Sequence, residues 1–359
     1  MLNDLVSCKI ICTSNVEHLS QLYTGFGLLK DRGLINVEYV RSKEYKVNGK
    51  QLLITAIDNR WKIAYDTADD ERVYDFALQD CDFYFKRSYS SQHAAISKKI
   101  RPLGLNYAVY GGSDGSFRRA LWAFGENGTS SIRVKIRGIV DSSQTLSRIA
   151  SDKYSGRNLL RVEAFEDLPK RERAPLILFL ARVWDPSENS KLSPGRADER
   201  HAINSMRAAC IRGLRKELGR SFIGGFASSR FAETNFPDCI VGPSFTQKSA
   251  YLKHVRSAGI CVATMGLDRS NGWKLGEYVA NAKAIVSEPL CHEVTGDFKD
   301  GVNYLVFNSP EECVESAVRL IEDADLRYEM KVNNYSYYHR FLRPDVLVWN
   351  TIQCVLFES

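Results

Sequence analysis

Short apolar runs alternate along this chain with stretches whose apolar residues recur every three to four positions. That pattern predicts buried strands alternating with amphipathic helices. Lys9–Thr13 reads as a first strand, and Leu19, Leu22, Phe26 and Leu29 form one face of the helix after it. Gly33 is placed to stop that helix. Strands are expected at Ile35–Val40, Leu52–Ile57, Trp61–Tyr65 and Cys81–Phe85. Such alternation points to a parallel or mixed α/β sheet. From Gly111 to Arg173 the pattern is weaker, with a flexible loop at Gly111–Ser116 and one alternating segment at Ile132–Ile136. Asp167–Pro175, charged and rich in proline, reads as a domain linker.

A second α/β pattern follows. Leu176–Ala181 is apolar throughout, as expected of a central parallel strand. A long helix is predicted from Ala197 to Leu218, with Ile203, Met206, Cys210, Leu214 and Leu218 on one face. Short strands are expected at Ser221–Gly225 and Asp238–Val241, and a helix from Gln247 to Arg256. Ile260–Met265 then leads into a loop rich in glycine and polar residues, Gly266–Gly272. A short helix and another apolar run, Ala284–Ser287, come next. Strand, glycine loop and helix in that order can present backbone N–H groups and a helix N-terminus to a phosphate. Near the end, Tyr304–Phe307 is a strand, and Ser309-Pro-Glu-Glu312 starts a helix with a capping serine and proline at its first position. The helical pattern from Asp325 to Phe341 breaks near Pro344.

Composition narrows the choices. The chain has 359 residues, 44% apolar and 26% charged, enough for two domains with separate cores. A net charge of +6 without a dense Lys/Arg block suits a polyanionic small ligand or an anionic membrane surface, and gives no footprint for nucleic acid. Nine cysteines without a C-x-x-C pair point to free thiols in a reducing, cytoplasmic setting. The N-terminus lacks a signal-peptide pattern, and no apolar run approaches the ~20 residues that span a bilayer. In that setting the Asn127-Gly-Thr129 sequon carries no weight.

Gly272-Trp-Lys-Leu-Gly-Glu-Tyr-Val-Ala-Asn-Ala-Lys-Ala-Ile-Val-Ser287 resembles the donor-site motif of GT-B glycosyltransferases, those of the glycosyl transferases group 1 family. The resemblance continues through His292-Glu293, Asp300–Phe307, Ser309–Asp323 and Leu326–Met330, covering residues 175–340. It implies two Rossmann-like α/β domains facing across a cleft: an acceptor domain at 1–170, a donor domain at 171–341, and a C-terminal helix, 342–359, packing back on the first. It also implies sugar transfer from a nucleotide sugar to a saccharide or lipid-linked glycan in surface polysaccharide synthesis. The nucleotide sugar is then a co-substrate and no other cofactor is needed. The setting would be cytoplasmic, with peripheral association at the inner membrane face. Under this resemblance Glu277 accepts the ribose hydroxyls and Arg182 neutralises the diphosphate, with Lys191 or Lys248 as its partner. Ser270, Asn271, Gly272 and Lys274 lie near the donor phosphates. One departure stands out. Many retaining members carry a Glu eight positions before the helix Glu, where this chain has Arg269, so stereochemistry stays open.

The acceptor side rests on residue types alone. Asp66, at a strand end, is the first candidate for the base that takes the acceptor proton, and His292 the best-placed histidine. Lys86 and Arg87 could meet a phosphate or an acidic acceptor. Each has a plainer reading as a turn cap, a solvated charge or a structural pair; for Glu277 that is a pair with Lys274, and for Arg182 a pair with Asp185. Asp66-Thr-Ala-Asp69 is not the Asp-x-Asp of metal-dependent glycosyltransferases, so no metal is expected. Two other functions fit the same pattern: a non-catalytic two-lobed binding protein for a small polar ligand, and a polyol-phosphate transferase.

Overall fold

The computed structural model describes residues 5–12, 16–41, 51–111, 115, 160–188 and 194–358. The segment at 132–136, the sequon and Lys191 lie outside them. Two compact units emerge: Met1–Ala164 with His292–Gly296 and His339–Ser359, and Phe165–Cys291 with Asp297–Tyr338.

The first unit contains β1 (Val6–Cys12), α1 (Ser20–Asp31), β2 (Ile35–Arg41), β3 (Leu52–Ile57), β4 (Trp61–Asp66), α2 (Asp75–Asp80), β5 (Phe83–Lys86), α3 (Ser91–Ile96) and β6 (Ile100–Pro102). Its sheet order is β2-β1-β3-β4-β5-β6. Strands β1 and β2 pair in parallel, as do β4 with β5 and β5 with β6. Strand β3 runs antiparallel to both neighbours, because only three residues turn it into β4, and Asp58 and Asn59 take left-handed conformations there. The sheet is therefore mixed. Leu22, Phe26 and Leu29 of α1 share a core with Leu347, Val348, Ile352 and Val355 of the C-terminal helix, Pro344–Phe357. Each such buried side chain contributes about 1.5–3 kcal/mol. Gly25 lets the helices approach closely, since a Cβ there would sit 2.2 Å from the Pro344 carbonyl oxygen. Gly33, at φ 67°, ends the turn after α1.

The second unit contains β7 (Ile177–Ala181), α4 (Pro194–Leu218), β8 (Phe222–Ala227), α5 (Arg230–Asn235), β9 (Ile240–Val241), α6 (Lys248–Ser257), β10 (Ile260–Ala263), α7 (Trp273–Ala280), β11 (Ala284–Ser287), β12 (Leu305–Val306), α8 (Pro310–Glu322) and α9 (Ala324–Tyr337). The sheet runs β12-β11-β10-β7-β8-β9, with every pairing parallel. Counted from β7 this is the doubly wound order 3-2-1-4-5-6, which reverses direction between β7 and β10. Strand β7 lies at the centre and is buried along its whole length, as its apolar run requires. The predicted cap of α8 forms: Ser309 Oγ accepts from the Glu312 N–H at 3.1 Å. Between α9 and Pro344, Tyr338–Leu342 form a π-turn.

Two Rossmann-like α/β units in one chain are the fold class expected from the sequence. Cys8, Cys81, Cys210, Cys239, Cys261, Cys291, Cys313 and Cys354 are free thiols, and among the described residues no helix is long and apolar enough to cross a membrane.

Candidate functional site

In an open α/β sheet, ligands bind outside the carboxyl ends of the strands where the order reverses. In the second unit that point lies beyond β7 and β10. Arg207, on the buried face of α4, ties the two strand ends together. Its guanidinium donates to the Arg182 carbonyl at 2.7 Å, the Met265 carbonyl at 2.8 Å and Thr264 Oγ1 at 2.9 Å. Burial pulls it down to about 10, against Glu288, which favours its charge. Glu288 in turn accepts from the Met265 N–H at 2.7 Å.

The Gly266–Gly272 loop folds on itself. Gly266 N–H donates to the Ser270 carbonyl at 2.9 Å, and a Cβ at Gly266 would press within 2.6 Å of Ser270 Oγ. Asp268 and Arg269 occupy the left-handed region, at φ 56° and 54°. The first turns of α4 hold the loop: Arg196 pairs with Asp268 at 2.7 Å, and Glu199 accepts from the Arg269 N–H at 3.2 Å. Ser270 and Asn271 are buried, so their side chains belong to the interior of the unit, and Gly272 is the N-cap of α7. A small cavity behind the loop is lined by Met265, Asn271, Leu275 and Glu288 among others.

Glu277 lies mid-way along α7 and is 5% exposed. Its plainer alternative was a pair with Lys274, but its two oxygens are held from α6. Lys248 Nζ donates to Oε1 at 2.7 Å and Tyr251 Oη to Oε2 at 2.5 Å. Lys248, read in the sequence as a diphosphate partner of Arg182, is thus engaged with Glu277. Lys274 extends to β7 and donates to the Leu180 carbonyl. Its ammonium also sits over the Tyr251 ring, 4.7 Å from the centroid, and that of Lys248 lies 5.1 Å from the same centroid. Arg182 is exposed just beyond β7; Asp185, its alternative partner, turns to Ser187 instead, whose hydroxyl lies 2.6 Å away.

Lys274 is half-buried, and burial pulls its ammonium down to about 7, with Glu277 pulling up. Between pH 7 and 10.5 the unfolded chain holds a proton that the folded chain has released, so stability rises with pH in that window. From pH 7 to pH 9 the wild type should gain about 2 kcal/mol relative to Lys274→Met, after allowance for solvent. Denaturant unfolding of both proteins across the range checks this; parallel curves would contradict it.

The acceptor-side candidates of the first unit lie in its interior. Asp66 and Lys86 are register partners on β4 and β5 and pair at 3.0 Å, both fully buried. Tyr84 Oη donates to Asp66 at 2.6 Å and the Ala68 N–H at 2.9 Å. Burial pushes the Asp66 carboxyl up, while Lys86 and these donors pull it down. Asp66 is thus fully buried, with three donors on its carboxylate. Arg87 is likewise buried and paired with Asp69. Burial opposes ionisation of Asp69, but Arg87 and His18 outweigh it and hold the carboxyl at about 2. His292 is buried, with Nδ1 3.7 Å from Glu71, and its loop joins the first unit, where the Glu293 N–H donates to the Tyr89 carbonyl at 2.9 Å. Lys86 and Arg87 are therefore each engaged in a buried ion pair, and Asp66 and His292 are buried as well.

Sequence reading missed Arg207 and Tyr251. Tyr251 follows Lys248 by three residues on one helix, a spacing that places both on the same face. Nothing comparable marks Arg207, whose partners are backbone carbonyls and a single hydroxyl from distant parts of the chain. Among the described residues no group of three His, Cys, Asp or Glu side chains is placed to hold a metal ion.

No family model matches the sequence, and no curated protein matches it. Solved structures do. The C-terminal domain of a glycosyl transferase group 1 family protein (LpcC) from Francisella tularensis is 12% identical, covering 50% of this chain and 95% of that one, at a TM-score of 0.32. Anabaena HepE in complex with UDP is 10% identical over 95% of this chain and 94% of that one, at 0.33. The wall teichoic acid polymerase TagF is 9% identical over 79% and 59%, at 0.30.

Proposed function

We propose that the chain is a GT-B glycosyltransferase that moves a sugar from a nucleotide-sugar donor to a saccharide or lipid-linked glycan. The observation that carries the reading is the state of Glu277. A carboxylate offers about four acceptor positions. Lys248 and Tyr251 take one on each oxygen. The remaining two suit the vicinal hydroxyls of a ribose. Lys274 reaches the carboxyl end of β7 beside this carboxylate, and Arg182 is exposed just past the same strand. These cations supply what the reaction needs. As the bond from the anomeric carbon to the donor phosphate breaks, the nucleoside diphosphate leaves with its negative charge, and nearby cations stabilise it. The acceptor oxygen forms the new bond to the anomeric carbon, and its proton passes to the departing diphosphate or to water. In this reading the lysines and Arg182 hold the diphosphate and Glu277 fixes the nucleoside. Polysaccharide synthesis and association with a membrane surface are parts of the proposal that the resemblance and the modest positive charge support.

The test is a panel of nucleotide sugars incubated with the protein alone. Slow release of nucleoside diphosphate from one donor is expected. No hydrolysis of any donor, together with no thermal stabilisation by any nucleoside diphosphate, would overturn the reading.

A further inference from the structure

Glu277 has three side-chain torsions and would sample many directions on an unsupported helix surface. Here Tyr251 fixes one of its oxygens. The phenol is 6% exposed and donates to Oε2 at 2.5 Å, the length of a charge-assisted bond. Its ring is also the surface against which both ammoniums rest, Lys274 at 4.7 Å and Lys248 at 5.1 Å from the centroid. One residue thus sets the carboxylate and the two nearest cations together.

We propose that Tyr251 is a positioning residue that aims the free lone pairs of Glu277 at a vicinal diol, so that the site selects ribonucleotides over deoxyribonucleotides. This rests on the donor-site reading above. Without the hydroxyl, Oε2 loses its fixed donor and the carboxylate turns toward Lys248, whose bond to Oε1 is the remaining tether. The diol then meets a mobile acceptor, while phosphate contacts are unchanged.

Titration calorimetry of wild type and Tyr251→Phe separates positioning from a general structural role. The ligands are UDP and GDP, each beside its 2′,3′-dideoxy analogue. Wild type should prefer the ribose form of the nucleotide it binds by tenfold or more, and Tyr251→Phe should cut that preference to about threefold or less, with little change for the dideoxy form. Equal weakening of both forms, or an unchanged preference, overturns the proposal and leaves the donor-site reading standing. Absence of binding to the wild type by either ribonucleotide overturns both. Should Tyr251→Phe fail to fold, Tyr251→His, whose shorter ring does not reach Glu277, replaces it with the same expected loss of preference.

Discussion

Lys86→Met is expected to cost about 3–5 kcal/mol of folding free energy, one of the two largest effects foreseen for this chain. Lys86 and Asp66 are both fully buried, and their 3.0 Å pair is the main compensation for taking either charge out of water. Removing the lysine leaves the Asp66 carboxylate with Tyr84 and one backbone N–H, which do not cancel its charge. The double change Lys86→Met with Asp66→Asn should recover much of the loss, because a neutral, well-packed pair no longer carries an uncompensated ion. Urea denaturation measures both. A Lys86→Met protein within about 0.5 kcal/mol of wild type would show that the pair is not structural. Loss of transferase activity in Asp66→Asn without loss of stability would return Asp66 to the role of base.

The second large effect concerns Glu277→Ala, which removes the carboxylate set between α6 and α7. Affinity for a nucleoside diphosphate should fall about 10- to 100-fold, as expected when hydrogen bonds to a charged acceptor are lost. The same change leaves Tyr251 Oη and Lys248 without their partner, so some loss of stability accompanies it. It also withdraws the charge that holds the Lys274 ammonium up, and more of that lysine is neutral near pH 7. The affinity of the variant should therefore weaken further, relative to wild type, as pH rises from 6 to 8.

The second unit was more legible in the sequence than the first. Strand β7 announces itself as an unbroken apolar run, and the short spacing from β10 through α7 to β11 leaves little choice but a parallel crossover. The resemblance of Gly272–Ser287 to the GT-B donor motif brought Glu277 and Lys274 forward as site residues. It could not say which lysine Glu277 pairs with, because that depends on α6 packing beside α7. In the first unit the strands are equally legible, but the burial of the charges at their ends is not. Asp66, Lys86 and Arg87 look like exposed polar residues after strands. Only the register of β4 with β5 makes Asp66 and Lys86 neighbours in the interior. The place of His292 is hidden for a related reason, since its loop follows strands of the second unit in sequence yet bonds to Tyr89 of the first.

On the proposed function, Glu277 anchors a nucleotide in the second unit. Calorimetric titration of wild type and Glu277→Ala with UDP and with GDP tests it most directly. One of the two should bind the wild type, and its affinity should drop at least tenfold in the variant. Equal affinity for both proteins, or no binding of either nucleotide to the wild type, would contradict it.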